Sequence, residues 1–271
     1  YFYPYKIKGV DFNDRASYQR YGNGVSLEDW RRSNVTAFVK TISFGIKKLK
    51  PWVQFGISPF GVWRNQTMDP KGSETYGTSN YDDLFADPID WMNNNWIDYI
   101  IPQLYWSVDY KSQSGVNYSK LLKWWAENVP ANTALYIGNS SYKIRSDSDK
   151  RWNNAYEIPN QIDFARNYPN VHGNGYFSAK WFINKNPDVV KYLKENQYKY
   201  PALPLPVPNF KKQITDKLLI TSITKDTSSY YISFQKPNLP SQVRYIIVYA
   251  AKNSAKIIIK IIPIHPIQIH T

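Results

Sequence analysis

Residues 50–64 read KPWVQFGISPFGVWR, and the apolar, β-rich run WVQFGIS at 52–58 follows directly on a helical stretch over 27–49, with Pro51 at the turn. Ser26 stands where an N-cap belongs, with Asp29 three residues on. The same order, helix then short apolar run, recurs three times downstream. A helix opened by Asp87-Pro88 leads into IDYIIPQLYW at 97–106, a helix over 118–128 into ALYIGN at 134–139, and a helix over 159–168 into GYFSAK at 175–180. A last helix runs from Asn186-Pro187 to about 196. This rhythm predicts a parallel α/β fold.

The connections leaving the predicted strands are long, from Pro59 to Thr78, Ser107 to Asn117 and Ser140 to Ile158, whereas those entering them are short. In a (β/α)8 barrel the loops after the strands build the active face. A doubly wound nucleotide-binding sheet has no support, because no G-x-G-x-x-G or P-loop follows any strand. A barrel needs eight strands. Residues 1–200 show four, so a smaller open sheet stays open as an alternative at this point.

From Tyr200 the composition turns to PALPLPVP, which predicts a proline-rich linker over 201–210. Residues 211–271 read as a small all-β module with strands LLITSITK, YYISFQ, VRYIIVYAA and KIIIKII, shorter than a full immunoglobulin-type sandwich.

The 271 residues are 42% hydrophobic and 20% charged, which sets the chain apart from disordered and collagen-like classes. Cysteine is absent, so disulfides, thiolate metal sites and a cysteine nucleophile are excluded. The net charge of +13 is scattered in singles and pairs, without the basic block of a nucleic-acid arm. No run is long and apolar enough for a transmembrane span, and the chain opens on Tyr1, as a processed or truncated product would. The aromatic content is high, with 10 Trp, 23 Tyr and 12 Phe, and exposed rings make binding surfaces.

His172 precedes the fourth predicted strand, at the end opposite the long loops, which fits packing better than catalysis. GISPFG at 56–61 does not have the spacing of a nucleophile elbow, and no zinc ligand set or other cofactor motif is present. Carboxylates, amides, hydroxyls and rings remain, the side chains that suit sugars. At the strand ends stand Ser58, Trp63 and Arg64, then Gln103, Tyr105 and Trp106, then Asn139 and Tyr142, then Ser178, Lys180 and Trp181. None is an acid. Asp11, Asp14 and Asp109 could reach a site only from other segments, and a solvated or capping role suits them better. Trp124-Trp125 fits packing against the sheet, and Arg31-Arg32 reads as surface charge. Gln103 and Tyr105 alternate on one strand and face one side together. Lys180, inside a strand in an aromatic setting, needs a partner or water.

YFYPY at 1–5, LEDWRR at 27–32, KPWVQFGISPFGVWR at 50–64, WIDYIIPQLYW at 96–106 and GYFSAK at 175–180 closely resemble the glycosyl hydrolase-like family ten of bacterial envelope proteins, over nearly all of residues 1–205. The resemblance implies a TIM-type barrel, and some members cleave peptidoglycan glycan strands stripped of their peptides. It also implies that the YFYP-like segment follows a barrel strand ending in an Asp-Asp pair. The four visible strands would then be five to eight, with the main catalytic carboxylates upstream of Tyr1 and the other barrel half supplied by the same or a second chain. Asp14, in FNDRASY, matches an acidic position of relatives and is a weak catalytic candidate. The β-module resembles a fibronectin type III-like appendage.

The expectation is an exported glycoside hydrolase, periplasmic or associated with the cell envelope, acting on an envelope polysaccharide without a cofactor. Tyr3, Tyr5, Ser58, Trp63, Arg64, Gln103, Tyr105, Trp106, Asn139, Ser178 and Lys180 would line the glycan groove, with Arg64 and Lys180 pairing with a substrate carboxylate. The rival is a non-catalytic glycan-binding or scaffold protein.

Overall fold

The computed structural model describes residues 3, 9–200, 202, 220–225, 227, 230–234, 243–249 and 258–263. The chain divides into two compact units, Tyr1–Leu203 and Pro204–Thr271.

The first unit opens with α1 (Arg15–Tyr21), which the hydrophobic pattern does not flag, and α2 (Leu27–Leu49). Ser26 caps α2: its hydroxyl accepts from the Asp29 amide at 3.1 Å and donates to the Asp29 carboxylate at 2.7 Å. In chain order follow β1 (Gly56–Ile57), α3 (Asn80–Asp83), α4 (Pro88–Asn93), β2 (Tyr99–Ile100), α5 (Tyr118–Asn128), β3 (Ala134–Asn139), α6 (Glu157–Ala165), β4 (Val171–Tyr176), α7 (Ala179–Lys185) and α8 (Pro187–Glu195). Asp87 caps α4 through the Asp90 amide, with Pro88 in the first helical position.

The strands form one parallel sheet in the order β1-β2-β3-β4. Parallel neighbours cannot be joined by a tight turn, so each connection crosses over through helical segments. This is an α/β fold with a parallel sheet, compatible with a TIM-type barrel.

Three strands differ from the sequence expectation. The run 52–58 pairs only at Gly56–Ile57, because the Phe55 amide donates to the Asp98 carboxylate at 2.7 Å instead of continuing the ladder. Asp98 is buried and also holds Lys47 of α2 at 2.6 Å, fastening that helix to the entry of β2. The run 97–106 reduces to Tyr99–Ile100, since Pro102 has no N–H to donate. Pairing resumes at Gln103, which bridges Phe60 on one side and Gly138 on the other. The fourth strand is Val171–Tyr176 and not 175–180. At Ser178 the chain turns into α7, so Lys180 lies on an exposed helix, and His172 lies inside β4, exposed.

The main core brings Val39 of α2, Trp91 and Met92 of α4, Ile100 and Leu104, Leu121, Leu122 and Trp125 of α5, and Leu135 and Ile137 of β3 together at 1% exposure or less. A smaller cluster joins Ile144, Trp152, Ile158, Ile162, Phe182, Val189 and Leu193 under α6, α7 and α8. Trp124 and Trp125 pack edge to face with centroids 5.0 Å apart, and both are buried. Among the described residues no helix is long and apolar enough to cross a membrane.

In the second unit, β5 (Ile220–Lys225) pairs antiparallel with β6 (Tyr230–Phe234), and β7 (Val243–Tyr249) with β8 (Ile258–Pro263), as two separate two-stranded sheets. Apart from Ala202, the proline-rich stretch 201–210 lies outside the described residues.

Candidate functional site

Past the C-terminal ends of the four strands, side chains from successive loops meet. The Ser58 hydroxyl donates to the Ile101 carbonyl at 2.8 Å, and the Gln103 side-chain amide donates to the Ser58 carbonyl at 3.0 Å. Ser58 is exposed and Gln103 half-buried, so the β1 and β2 ends are tied together at the surface. Beyond them, Tyr105 lies 6.4 Å from Phe177 in a stacked pair and 6.1 Å from Tyr142 edge to face. Tyr142 also meets Phe177 edge to face at 6.2 Å and Trp181 at 6.5 Å. Phe177 is 60% exposed, an open ring held in place by two tyrosines. Trp106 meets Phe60 edge to face at 5.9 Å.

A buried polar network lies beneath this face. Asn139, at the end of β3, donates to the Gln161 side-chain oxygen at 2.8 Å, and Gln161 donates to the Trp106 carbonyl and to Glu157, each at 3.0 Å. Glu157 also accepts from the Val108 amide at 2.9 Å. Tyr118 of α5 donates to the Gln161 carbonyl at 3.0 Å, and Ser107 donates to the Asp149 carboxylate. Burial raises the Glu157 carboxyl above its ordinary range, against the two donors that favour the anion. The network fixes the backbone at 106–108 relative to Asn139. Glu157 escapes the sequence reading because it starts that helix at 159, and Gln161, inside the predicted helix, is not singled out. The i, i+4 pair of acid and amide is the signal that marks them.

The remaining predicted site residues have neighbours of their own. Trp63 is 8% exposed, stacks on Trp124 at 5.7 Å and donates from its indole to Asp87 at 3.0 Å, so its ring belongs to the core. Arg64 is already paired: it donates to both Asp82 oxygens at 3.1 and 2.9 Å and to Asp69 at 3.0 Å, above the Tyr81 ring at 4.1 Å. Its guanidinium therefore has protein acids as partners where the sequence reading expects a substrate carboxylate, and hydrogen bonding to Asp82 pushes its pKa above the ordinary value. Lys180 lies with its ammonium 5.7 Å from the Trp181 ring, in water on α7 and not inside a strand. Ser178 precedes α7, and its carbonyl accepts from the Ser141 hydroxyl at 3.1 Å.

Asp14 is 7% exposed and gives both carboxylate oxygens to Arg31. Arg31, read from sequence as surface charge, is 1% exposed; it also reaches Asp11 at 3.0 Å and the Phe12 carbonyl at 3.1 Å. Tyr3 joins this cluster, with Phe12 at 5.5 Å and Phe85 at 5.6 Å. Tyr5 lies outside the described residues.

The face at the strand ends thus offers an open ring, phenols, amides and hydroxyls, but no carboxylate pair among the described residues. Cleaving a glycosidic bond needs two carboxylates across it. The fold is α/β with a parallel sheet, and its strand-end face presents an exposed aromatic ring. The chain belongs to the glycosyl hydrolase-like 10 family, whose profile matches residues 1–154. It is 43% identical over 231 residues to glycosyl hydrolase YngK of Bacillus subtilis, a match covering 83% of this chain and 44% of that relative. It is 38% identical over 203 residues to glycosyl hydrolase DigH of Escherichia coli K12, covering 72% of this chain and 45% of the relative. The chain therefore spans less than half the length of the curated relatives it matches.

Proposed function

We propose that this chain is the C-terminal half, strands five to eight, of a closed (β/α)8 glycoside hydrolase that acts on a bacterial envelope polysaccharide, with peptide-free peptidoglycan glycan as its substrate. The observation that carries the reading is the Tyr105, Tyr142 and Phe177 cluster at the strand ends, where one ring stays open to a pyranose face. Family membership supports the reaction class. Acid and base or nucleophile are carboxylates on the preceding half of the barrel, while Gln103, Tyr105 and Phe177 hold the sugar and the Glu157 network positions Trp106 and Asn139. The protein works in the periplasm or cell envelope, and the second unit is a small β-sandwich attached to the barrel.

A non-catalytic glycan-binding protein is the second reading, favoured by one observation: no acid stands among the strand-end side chains described. The test incubates the full-length protein with denuded and peptide-bearing glycan strands and follows new reducing ends. Release from denuded strands supports the hydrolase; retention on glycan without release overturns it in favour of the binder.

A further inference from the structure

The rings at the strand ends form a row. Tyr105 stacks on Phe177 at 6.4 Å, Phe177 meets Tyr142 at 6.2 Å, and Tyr142 meets Trp181 at 6.5 Å. The row ends in a cation, for the Lys180 ammonium lies 5.7 Å from the Trp181 ring centre. Phe177 leaves 60% of its surface open, and Lys180 is exposed as well. Only Ser178 and Ala179, both small, separate the two in the chain.

The other basic side chains near these rings in sequence have acids of their own. Lys143, next to Tyr142, reaches Asp147 at 2.9 Å. Farther along the same loop Arg145 pairs with Asp188 at 2.6 Å and Arg151 with Asp149 at 3.4 Å, and in the loop after β1 Arg64 is held by Asp69 and Asp82. Lys180 pairs with no acid among the described residues. The Ser178 hydroxyl, for its part, makes no hydrogen bond to the α7 backbone.

A charged donor on a long flexible stem and a neutral hydroxyl donor thus stand beside an open ring. Together they suit a carboxylate, which accepts at both oxygens and gains most from a charged donor. The polysaccharide proposed above carries such a group on every muramic acid. Its lactyl carboxyl is amide-bonded in strands that bear peptide, and is free and charged once the peptide is gone. The lysine stem, three residues on from Phe177, can swing to a substituent at the edge of a sugar seated on that ring.

We infer that Lys180, with the Ser178 hydroxyl, binds the free lactyl carboxylate of the muramic acid whose ring rests on Phe177, and that this ion pair selects strands stripped of peptide. The inference rests on the polysaccharide reading above and deepens it, adding a charge-specific contact to the ring contact at the same face.

Calorimetric titration of the full-length protein tests it with three tetrasaccharides: peptide-free peptidoglycan glycan, the same fragment with its lactyl carboxylates converted to methylamides, and an N-acetylglucosamine tetramer. Wild type should bind the free acid about fivefold more tightly than either uncharged ligand, the upper range for an exposed ion pair. The preference should shrink as salt is added. Lys180→Gln, a change to an exposed side chain, should bring the free acid down to the affinity of its amide and leave the uncharged ligands within twofold of wild type. Phe177→Ala should weaken all three. Free acid and amide bound alike by wild type, a preference that survives Lys180→Gln, or an equal loss of all three ligands in that variant overturns the selection by Lys180 while the glycan reading stands. Unaltered affinities in Phe177→Ala overturn the seat on that ring. Absence of binding to all three overturns the polysaccharide reading itself.

Discussion

Arg31 donates from Nε and a terminal nitrogen to the two carboxylate oxygens of Asp14, at 2.8 and 2.6 Å, with both side chains buried. The Phe85 ring lies 4.8 Å from the same guanidinium. Removing one partner of a buried pair leaves the other charge without compensation, which typically costs about 3–5 kcal/mol. Asp14→Asn should therefore lower the unfolding free energy, read from urea denaturation, by about that amount, while the glycan release proposed above is unchanged in the folded fraction. A lost rate with unchanged stability would return Asp14 to the chemistry.

Arg64 organises the loop after β1 through Asp82 and Asp69. A planar fork makes this arrangement, and a lysine ammonium cannot reproduce its two parallel bonds. Arg64→Lys is expected to lower stability by about 1.5–3 kcal/mol, the worth of one hydrogen bond to a charged group. Glycan affinity, measured by the same calorimetry, should change less than twofold. A tenfold loss of affinity at unchanged stability would make Arg64 a substrate ligand after all.

Glu157 gives the fold a pH dependence. Burial raises its carboxyl above the unfolded-chain value of about 4.3. The folded state thus favours the protonated form, and the group's contribution to stability is complete below the unfolded value and lost as pH rises through the folded one. Unfolding at pH 4 and at pH 7 should show wild type losing more stability than Glu157→Gln between the two. Asp87, also raised by burial, is present in both proteins and cancels in the difference. Parallel pH profiles would show that Glu157 is not the group responsible.

Gly138 sits where β3 passes Pro102, and a Cβ there would lie 2.8 Å from the Pro102 carbonyl oxygen and 3.2 Å from the Gln103 Cα. Backbone cannot move aside as a flexible side chain would. Gly138→Ala is expected to lower stability by at least about 2 kcal/mol, as overpacking does. It should also loosen the Gln103 bridge, so glycan affinity should fall in the folded fraction. Unaltered stability would mean that the strands part without cost.

The alternation of helix and apolar run in the sequence is enough to predict the parallel sheet, because crossovers and buried strands leave strong periodic signals. The ends of α2, α5 and β3 agree with the prediction to the residue. Strand lengths do not follow from the pattern. Asp98 and Pro102 break the ladder by hydrogen bonding and by the lack of an N–H, effects that hydrophobicity does not register. Tyr105 and Gln103 are placed at the strand ends from alternation alone, whereas Phe177 is not singled out, since the sequence reading runs the fourth strand through it. Trp63 and Arg64 show the other limit. Residue type suggests a ligand, but indole and guanidinium are satisfied inside the protein by Asp87, Asp82 and Asp69, whose proximity only the fold reveals.

Each strand pairs with its neighbour in sequence, β1 with β2, β2 with β3, β3 with β4. Every loop of the strand-end face therefore arrives between its own strand and helix, as one cassette of the sheet. Lengthening one such loop changes its own sector and the side chains it touches, and leaves the register of the strands alone. Loop length and composition can thus vary one loop at a time while the parallel sheet beneath keeps its pairing.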